Sequence, residues 1–567
     1  MLKGIAVSDG IGIGKAIIIK EKIPEYNDRT VSDISAEILR LDNALSEFCR
    51  STELLARKIE QSVGANEADI IRGHISIVKD PYFIGECEKL IKEGKCAEAA
   101  FENVSDMFIT IFSSAAEELI RQRAADMRDV KNSVLKNLMG IQSTQLSSLP
   151  GNSVIITEEL TPSMISELDK GKISAFVTET GGVTSHSAII AKMMEIPAVM
   201  SVQNAVSILN DGETIIVDGI KGTVIRSPDD AELKKYIDLQ IGYNKEKQSL
   251  ELFRGKPCTC ASGERFDVFC NIGKAEEANA AVENDGEGIG LMRSEFLFMN
   301  RNTAPTEQQQ FEEYKKAAII AGGRPVIIRT LDVGGDKSIP YLGIPQEDNP
   351  FLGLRAVRYC LKNIPVFKQQ IRAILRASCF GNIKIMFPMI SEISELRKCK
   401  AVVEECKDEL KEEGISFDRD IKTGIMVETP AAAICADILA KECDFFSIGT
   451  NDLTGYVMSC DRGNESVSEL YSCFQPAVLR MIEQTIKCAK NEHIPVGMCG
   501  EAAADPLMIP ILMSFGLDEF SVSPSSVLKV KKYISSFSID KANNIRENVI
   551  SMSTVNEIIQ YIKNSYQ

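Results

Sequence analysis

The chain predicts a multidomain α/β protein: a small α/β domain with an inserted α-helical bundle, followed by a C-terminal (β/α)8 barrel of the TIM type. Three observations predict it. The 567 residues, 44% of them apolar, exceed what one hydrophobic core organises and imply about two to four domains. A long helical-period segment with almost no glycine or proline lies between two sets of strand-like runs. Beyond a charged linker, eight apolar strand-like runs alternate with helical patterns, as a barrel requires.

Taken in order, the opening alternates glycine with apolar residues. Gly10-Ile11-Gly12-Ile13-Gly14-Lys15-Ala16 lacks the spacing and final Ser/Thr of a P-loop and reads as a tight turn, after which Ala16–Ile19 reads as a strand. Helical periodicity then runs from about Ser32 to Leu146. Beta-like runs resume at Ser153–Ile156, Ala175–Val177 and Thr214–Val217. Residues 1–20 and 148–225 are therefore expected to form the α/β domain, 26–146 the bundle, 226–258 a linker helix and 259–567 the barrel. The eight barrel runs are Phe266–Ile272, Gly288–Leu291, Val326–Thr330, Lys384–Phe387, Gly424–Val427, Phe445–Ile448, Pro495–Met498 and Glu519–Ser521.

Charge narrows the partners. Lys and Arg number 64 against 80 Asp and Glu, and a net charge of −16 opposes adhesion to nucleic acid or anionic lipid. The N-terminus has no apolar stretch of signal-peptide length, and no segment approaches the ~20 apolar residues of a membrane span, so a cytoplasmic protein is expected. The 16 scattered cysteines read as reduced, mostly buried small hydrophobes.

Two places carry chemistry. His186, one of three histidines, follows Gly181-Gly182-Val183-Thr184-Ser185 and precedes an apolar run, which puts its ring at the first turn of a helix. Unpaired N–H groups and the helix dipole there favour an anion held on the ring, as in a phosphoryl carrier; the bland alternative is a cap or surface histidine. His493 reads as structural, and His74 as lying on a bundle face open to a partner. The second place is the barrel's C-terminal rim, where Arg293 and Glu295, Arg329 with Asp332 and Lys337, Glu428, Asn451 and Asp452, and Cys499 with Glu501 stand at the ends of the second, third, fifth, sixth and seventh runs. Glu428 and Asp452 suit one hard divalent cation, Mg2+ by preference. Arg293, Arg329, Arg355, Arg462 and Lys337 match a ligand bearing both phosphate and carboxylate. Arg355 competes with Arg358, one turn away, for the reading of solvated helix residue. Cys499 reads either as a packed thiol or as a proton donor to a carbanion.

The segments GGVTSHSAIIAKMMEIPAV, LMRSEFLFMNR, IIRTLDVGGDK, NPFLGLRAVR, MVETPAAA, SIGTNDLTGY, DRGN and GMCGE stand in this order along nearly the whole chain. In them the chain resembles the enzyme I family of the bacterial phosphotransferase system, the phosphoenolpyruvate–protein phosphotransferases. The resemblance implies that His186 is phosphorylated, that Arg293, Arg329, Asn451 and Arg462 hold phosphoenolpyruvate, and that Lys337 supports its phosphate. It further implies Mg2+ on Glu428 and Asp452 and protonation of the enolate by Cys499. It makes the small α/β domain a phosphohistidine domain and the bundle the docking domain for the carrier HPr. The barrel becomes a homodimerising unit, and the reaction the first step of sugar uptake. Pyruvate dikinases and phosphoenolpyruvate synthases share histidine domain and barrel but add a nucleotide-binding domain, for which this chain has neither length nor motif. The family commonly has Arg or Lys at Val183, Gln at Gly455 and Gly at Ser201 and Ala504. Those departures keep open a regulatory, non-sugar carrier or a non-catalytic phosphoenolpyruvate sensor.

Overall fold

The computed structural model describes residues 1–19, 26–62, 65–114, 118–141, 149–160, 164, 168–182, 188, 191–192, 194–299, 301–335, 339–461 and 464–565. They fall into two compact units, Met1–Glu246 and Lys247–Gln567.

The first unit holds an eight-stranded mixed sheet of β1 (Leu2–Lys3), β2 (Ile5–Ser8), β3 (Ile11–Ile19), β4 (Ser153–Thr157), β5 (Ile173–Thr178), β6 (Ala198–Met200), β7 (Thr214–Asp218) and β8 (Thr223–Arg226). Their spatial order is β1-β8-β7-β3-β4-β5-β6-β2. Side chains alternate between two cores: Val154, Ile156 and Val177 pack with Val206 and Leu209, whereas Ile155 and Phe176 pack with Ala188 and Ala191. Because both faces are covered, these strands read as unbroken apolar runs. The glycine-rich opening corrects the expected turn, since Ile11–Ile19 is one continuous strand pairing β4 and β7. Its glycines serve close packing instead: a Cβ on Gly12 would lie 2.3 Å from the Ser174 carbonyl oxygen, and one on Gly14 1.9 Å from that of Asn152.

Between β3 and β4 the chain builds helices α1 (Ile34–Ser62), α2 (Ala65–Val78), α3 (Pro81–Lys92), α4 (Ala97–Ser113) and α5 (Glu118–Met139). Leu41, Phe83, Phe101, Val130 and Val134 form their shared core. Asp80 caps α3 by accepting the N–H groups of Tyr82 and Phe83, with Pro81 at the first helical position. Arg40 ties α1 to α4 and α5, donating to Glu37 Oε1 and Glu98 Oε1, each at 2.6 Å, and to the Leu138 carbonyl at 3.1 Å. His74 departs from the expected open face. It is buried, with Nε2 3.6 Å from Asp126 Oδ1 across α2 and α5, and so belongs to the bundle interior. A charged helix, Asp230–Glu251, leads out of this unit, with Tyr236 its buried residue.

The second unit is a closed, all-parallel barrel of β9 (Asp267–Ile272), β10 (Ile289–Arg293), β11 (Val326–Arg329), β12 (Ile383–Phe387), β13 (Lys422–Val427), β14 (Phe445–Ile448), β15 (Val496–Met498) and β16 (Glu519–Val522). All eight expected runs are strands, and the expected fold class is the one observed. Leu291, Ile327, Met386, Met426, Phe445 and Cys499 pack inside the barrel. The alternate residues, such as Val326 and Ile328, face outward into a core with helix Ile364–Ala377, which buries Phe367, Ile371 and Ile374. Of the 16 free cysteines only Cys379 is exposed, in keeping with use as small hydrophobes. No helix among the described residues is long and apolar enough to cross a membrane.

Candidate active site

Parallel strands deliver each candidate side chain to the same rim of the barrel, beyond the strands' C-terminal ends. Arg293 closes β10 and Arg329 closes β11, and the two are register partners where that ladder stops. Arg329 is buried; its Nη2 donates to Glu295 Oε1 at 2.7 Å and lies 3.1 Å from Asp332 Oδ2. Burial opposes its charge, but Glu295, Asp332 and Glu428 outweigh that and hold the guanidinium firmly protonated. Arg293 is half-buried, with Cζ 4.8 Å from the centroid of the Phe296 ring.

Arg355 proves to be no solvated helix residue. It is buried just ahead of helix Val357–Lys362, and its Nη2 donates to both oxygens of Asp332 at 3.2 and 3.3 Å. Its Nη1 reaches Asp452 Oδ1 at 3.3 Å and the Tyr456 hydroxyl at 3.1 Å. Arg358 is the helical residue, bonded to the carbonyls of Leu352 and Gly353 and to Ser391 Oγ. Burial works against the charge on Arg355 too, and Asp332 and Asp452 again prevail.

Glu428 follows β13 and is buried, its Oε1 accepting the Met389 N–H at 2.7 Å. Met389 makes that bond from a left-handed backbone, φ 57°, and Ala356, next to Arg355, has φ 51°. Strain of this kind in non-glycine residues is held by surrounding structure and gathers at functional sites. Burial pushes the Glu428 carboxyl up, Asp452 and Asp332 push it further, and Arg329 and Arg355 pull it back. Asn451 and Asp452 open helix Thr450–Met458 after β14. Asn451 exchanges two bonds with Glu501, Nδ2 donating to Oε1 at 3.3 Å and Oδ1 accepting the backbone N–H at 3.2 Å.

Cys499 follows β15 at the top of the apolar interior layer, its Sγ 3.9 Å from the Ile448 carbonyl. Burial pushes its thiol up to about 12 against the opposing pull of Ser447 and Arg329, so the sulfur keeps its proton at neutral pH. Asn271, at the end of β9, donates to the carbonyls of Cys499 and Ser521 at 3.0 and 3.1 Å and accepts the Ser521 hydroxyl at 2.7 Å. His186, Lys337, Arg462 and Val183 lie outside the described residues.

The structure thus brings Arg329, Arg355, Glu428 and Asp452 into one network and sets Arg293, Asn451 and Cys499 at its rim. Sequence reasoning missed Tyr456, Asn271, Gln370 and the Met389 N–H. Tyr456 could have been found four residues after Asp452, on the same helix face. The buried Nε–H groups of Arg293, Arg329 and Arg355 have no acceptor among the described residues, and a buried donor without a partner calls for one, which the oxygens of an anion would supply. Glu428 and Asp452 bring hard oxygens from adjacent strand ends into a carboxylate cluster whose mutual repulsion a divalent cation would relieve. No group of three His, Cys, Asp or Glu forms a cage among the described residues. Such an ion would complete its shell with substrate and water oxygens, which suits magnesium.

Known proteins are similar to this chain along its whole length. Residues 247–539 match the PEP-binding domain of the PEP-utilising enzymes, 3–123 their N-terminal domain and 149–222 their mobile domain. The chain is 41% identical over 566 residues to the phosphoenolpyruvate-protein phosphotransferase of Priestia megaterium, covering 100% of this chain and 99% of that one. It is 41% identical over 567 residues to that of Bacillus subtilis (strain 168), with all of both chains covered. A solution NMR structure of Enzyme I (nEIt) aligns with 43% of this chain and 100% of its own at 35% identity and a TM-score of 0.37.

Proposed function

We propose, from the premise that this chain belongs to the phosphoenolpyruvate–protein phosphotransferases, that it moves the phosphoryl group of phosphoenolpyruvate to its own His186 and on to a histidine of an HPr-like carrier. Pyruvate is released. The observation that carries this reading is the pair of buried arginines, Arg329 and Arg355, beside the Glu428 and Asp452 carboxylates on the barrel rim, with Arg293 the register partner of Arg329 where the strands end.

Arg293, Arg329 and Arg355, with Asn451, Lys337 and Arg462, would grip the phosphate and carboxylate of the substrate, because a guanidinium pairs with either group through two parallel bonds. Glu428 and Asp452 would hold Mg2+, which when bound neutralises charge on the substrate oxygens. A ring nitrogen of His186 attacks phosphorus, forming the N–P bond as the bond to the enol oxygen breaks. The arginines stabilise the enolate that departs. The Cys499 thiol gives its proton to the methylene carbon, completing pyruvate, and water restores the thiol. The carrier then takes the phosphoryl group from His186. A cytoplasmic homodimer at the head of sugar uptake is the cellular setting this reading proposes.

Labelled phosphoenolpyruvate with Mg2+, with and without carrier protein, tests it directly. An acid-labile phosphate on His186, chased to the carrier, is the expected result. Label that persists in His186→Ala would overturn the assignment.

A further inference from the structure

Where the β10–β11 ladder ends at Arg293 and Arg329, a side chain from a helix also joins the two segments that follow. Gln370, in Ile364–Ala377, is 1% exposed. Its Oε1 accepts the N–H of Leu331 at 2.8 Å, and its Nε2 donates to Ser294 Oγ at 2.9 Å and to the Tyr314 hydroxyl at 3.1 Å. The Leu331 N–H can only donate, so the oxygen must face it; that fixes the amide's orientation, and both amide hydrogens are then used. Tyr314 is itself fully buried, its hydroxyl bonded on to Gln310 Oε1 at 3.3 Å and Gln310 in turn to the Pro305 carbonyl at 3.1 Å.

Ser294 stands between Arg293 and Glu295, and Leu331 between Arg329 and Asp332. One amide therefore links the segment carrying Arg293 and Glu295 to the segment carrying Arg329 and Asp332. The Arg329–Glu295 pair at 2.7 Å bridges the same gap from the substrate side. Glutamine suits the post because it alone among residues of its length offers one acceptor and two donors in a fixed plane. A hydrocarbon of equal volume would leave the Leu331 N–H, on a residue 1% exposed, without its acceptor.

We infer that Gln370 is a positioning residue for phosphoenolpyruvate, holding Arg293 and Arg329 at the separation that lets both engage one anion. The inference rests on the phosphotransferase reading. Arginines that grip the substrate and also stabilise the departing enolate act on binding and on the chemical step together, so their misplacement shows in kcat/KM and in the dissociation constant. A shift on the order of 1 Å in their spacing costs up to about a hundredfold.

The test uses the full chain, phosphoenolpyruvate and Mg2+, with self-phosphorylation kinetics and calorimetric binding side by side. Gln370→Met keeps the volume and removes all three bonds; it should lower kcat/KM about ten- to a hundredfold and raise the dissociation constant as well. Ser294→Ala removes one acceptor without disturbing the packing and should act in the same direction by about two- to fivefold, adding nothing on the Gln370→Met background. Should Gln370→Met fail to fold, Ser294→Ala and Tyr314→Phe decide alone. Wild-type kcat/KM and affinity in the variants, whatever their melting temperatures, would overturn the inference while leaving the function intact. A wild-type chain that neither binds phosphoenolpyruvate nor takes up label sinks the functional reading, and the inference with it.

Discussion

At the scale of single residues the site is an argument about compensation. Arg355 is buried against Asp332 and Asp452, so removing its charge strands two carboxylates beside Glu428 rather than deleting a neutral contact. Arg355→Met should destabilise the barrel by about 3 kcal/mol, the low end for breaking a buried pair, and denaturant unfolding of the variant checks it. Arg355→Lys keeps charge but cannot span Asp332 and Asp452 at once, and should lose phosphoenolpyruvate affinity with a smaller stability cost. Cys499 makes a different prediction. With its thiol pushed up to about 12, deprotonation of this group should leave the rate of pyruvate formation flat between pH 7 and 10. Cys499→Ala should cut that rate by about a hundred- to ten-thousandfold, the range for losing a general acid. Ser201 is a third case. It holds φ 57°, a left-handed backbone that favours glycine, and its hydroxyl donates to the Gly181 carbonyl at 2.5 Å, in the glycine pair that leads to His186. Ser201→Gly relieves the backbone but frees Gly181, so melting temperature should barely move while phosphorylation of His186 slows; unchanged phosphorylation would make the bond purely local.

At the scale of elements, Glu519 gives the barrel a pH dependence of its own, from a carboxyl inside the barrel close enough to act on the Cys499 thiol. It begins β16, its carboxyl lying against Gly290 and Gly497 inside the barrel, with Oε1 unpaired among the described residues. Burial pushes it up to about 8, Asp267 and Asp518 act in the same direction, and Lys384 pulls it down. A carboxyl whose folded-state value exceeds its unfolded one, near 4.3, binds its proton more tightly when folded. Its contribution is full below about pH 4, is lost as pH rises toward 8 and is flat beyond. Glu519→Gln should therefore raise the melting temperature at pH 8.5 more than at pH 5, and equal shifts would refute the placement. The barrel strands were legible because a parallel strand covered on both faces is an apolar run, and Arg293, Arg329, Glu428, Asp452 and Cys499 were legible because polar residues ending such runs have one rim to occupy. Gln370 was not: within a helical period a glutamine reads as surface, and its partners Ser294 and Leu331 are remote in sequence. The strand through Gly12 and Gly14 hid for the same reason, since the Ser174 and Asn152 carbonyls that demand glycine are distant in the chain. His74 was misjudged because its partner Asp126 lies on another helix.

At the scale of the whole molecule, the two units each carry complete hydrophobic cores: the sheet and bundle cores in Met1–Glu246, the barrel core in Lys247–Gln567. The division falls inside helix Asp230–Glu251, a charged segment in which Tyr236 is the buried residue. Separate cores imply separate folding, and the proposed chemistry is split along the same line: His186 belongs to one unit and every proposed phosphoenolpyruvate ligand to the other. A fragment ending near Gln248 should fold and accept phosphate from a phosphorylated carrier, yet stay inert toward phosphoenolpyruvate. The fragment from Lys247 onward should bind phosphoenolpyruvate, form the homodimer and remain unphosphorylated. Calorimetry, sedimentation and a carrier-exchange assay on the two halves decide the matter. Labelling of the isolated N-terminal half by phosphoenolpyruvate would place the chemistry in that half and leave the barrel rim without a catalytic role.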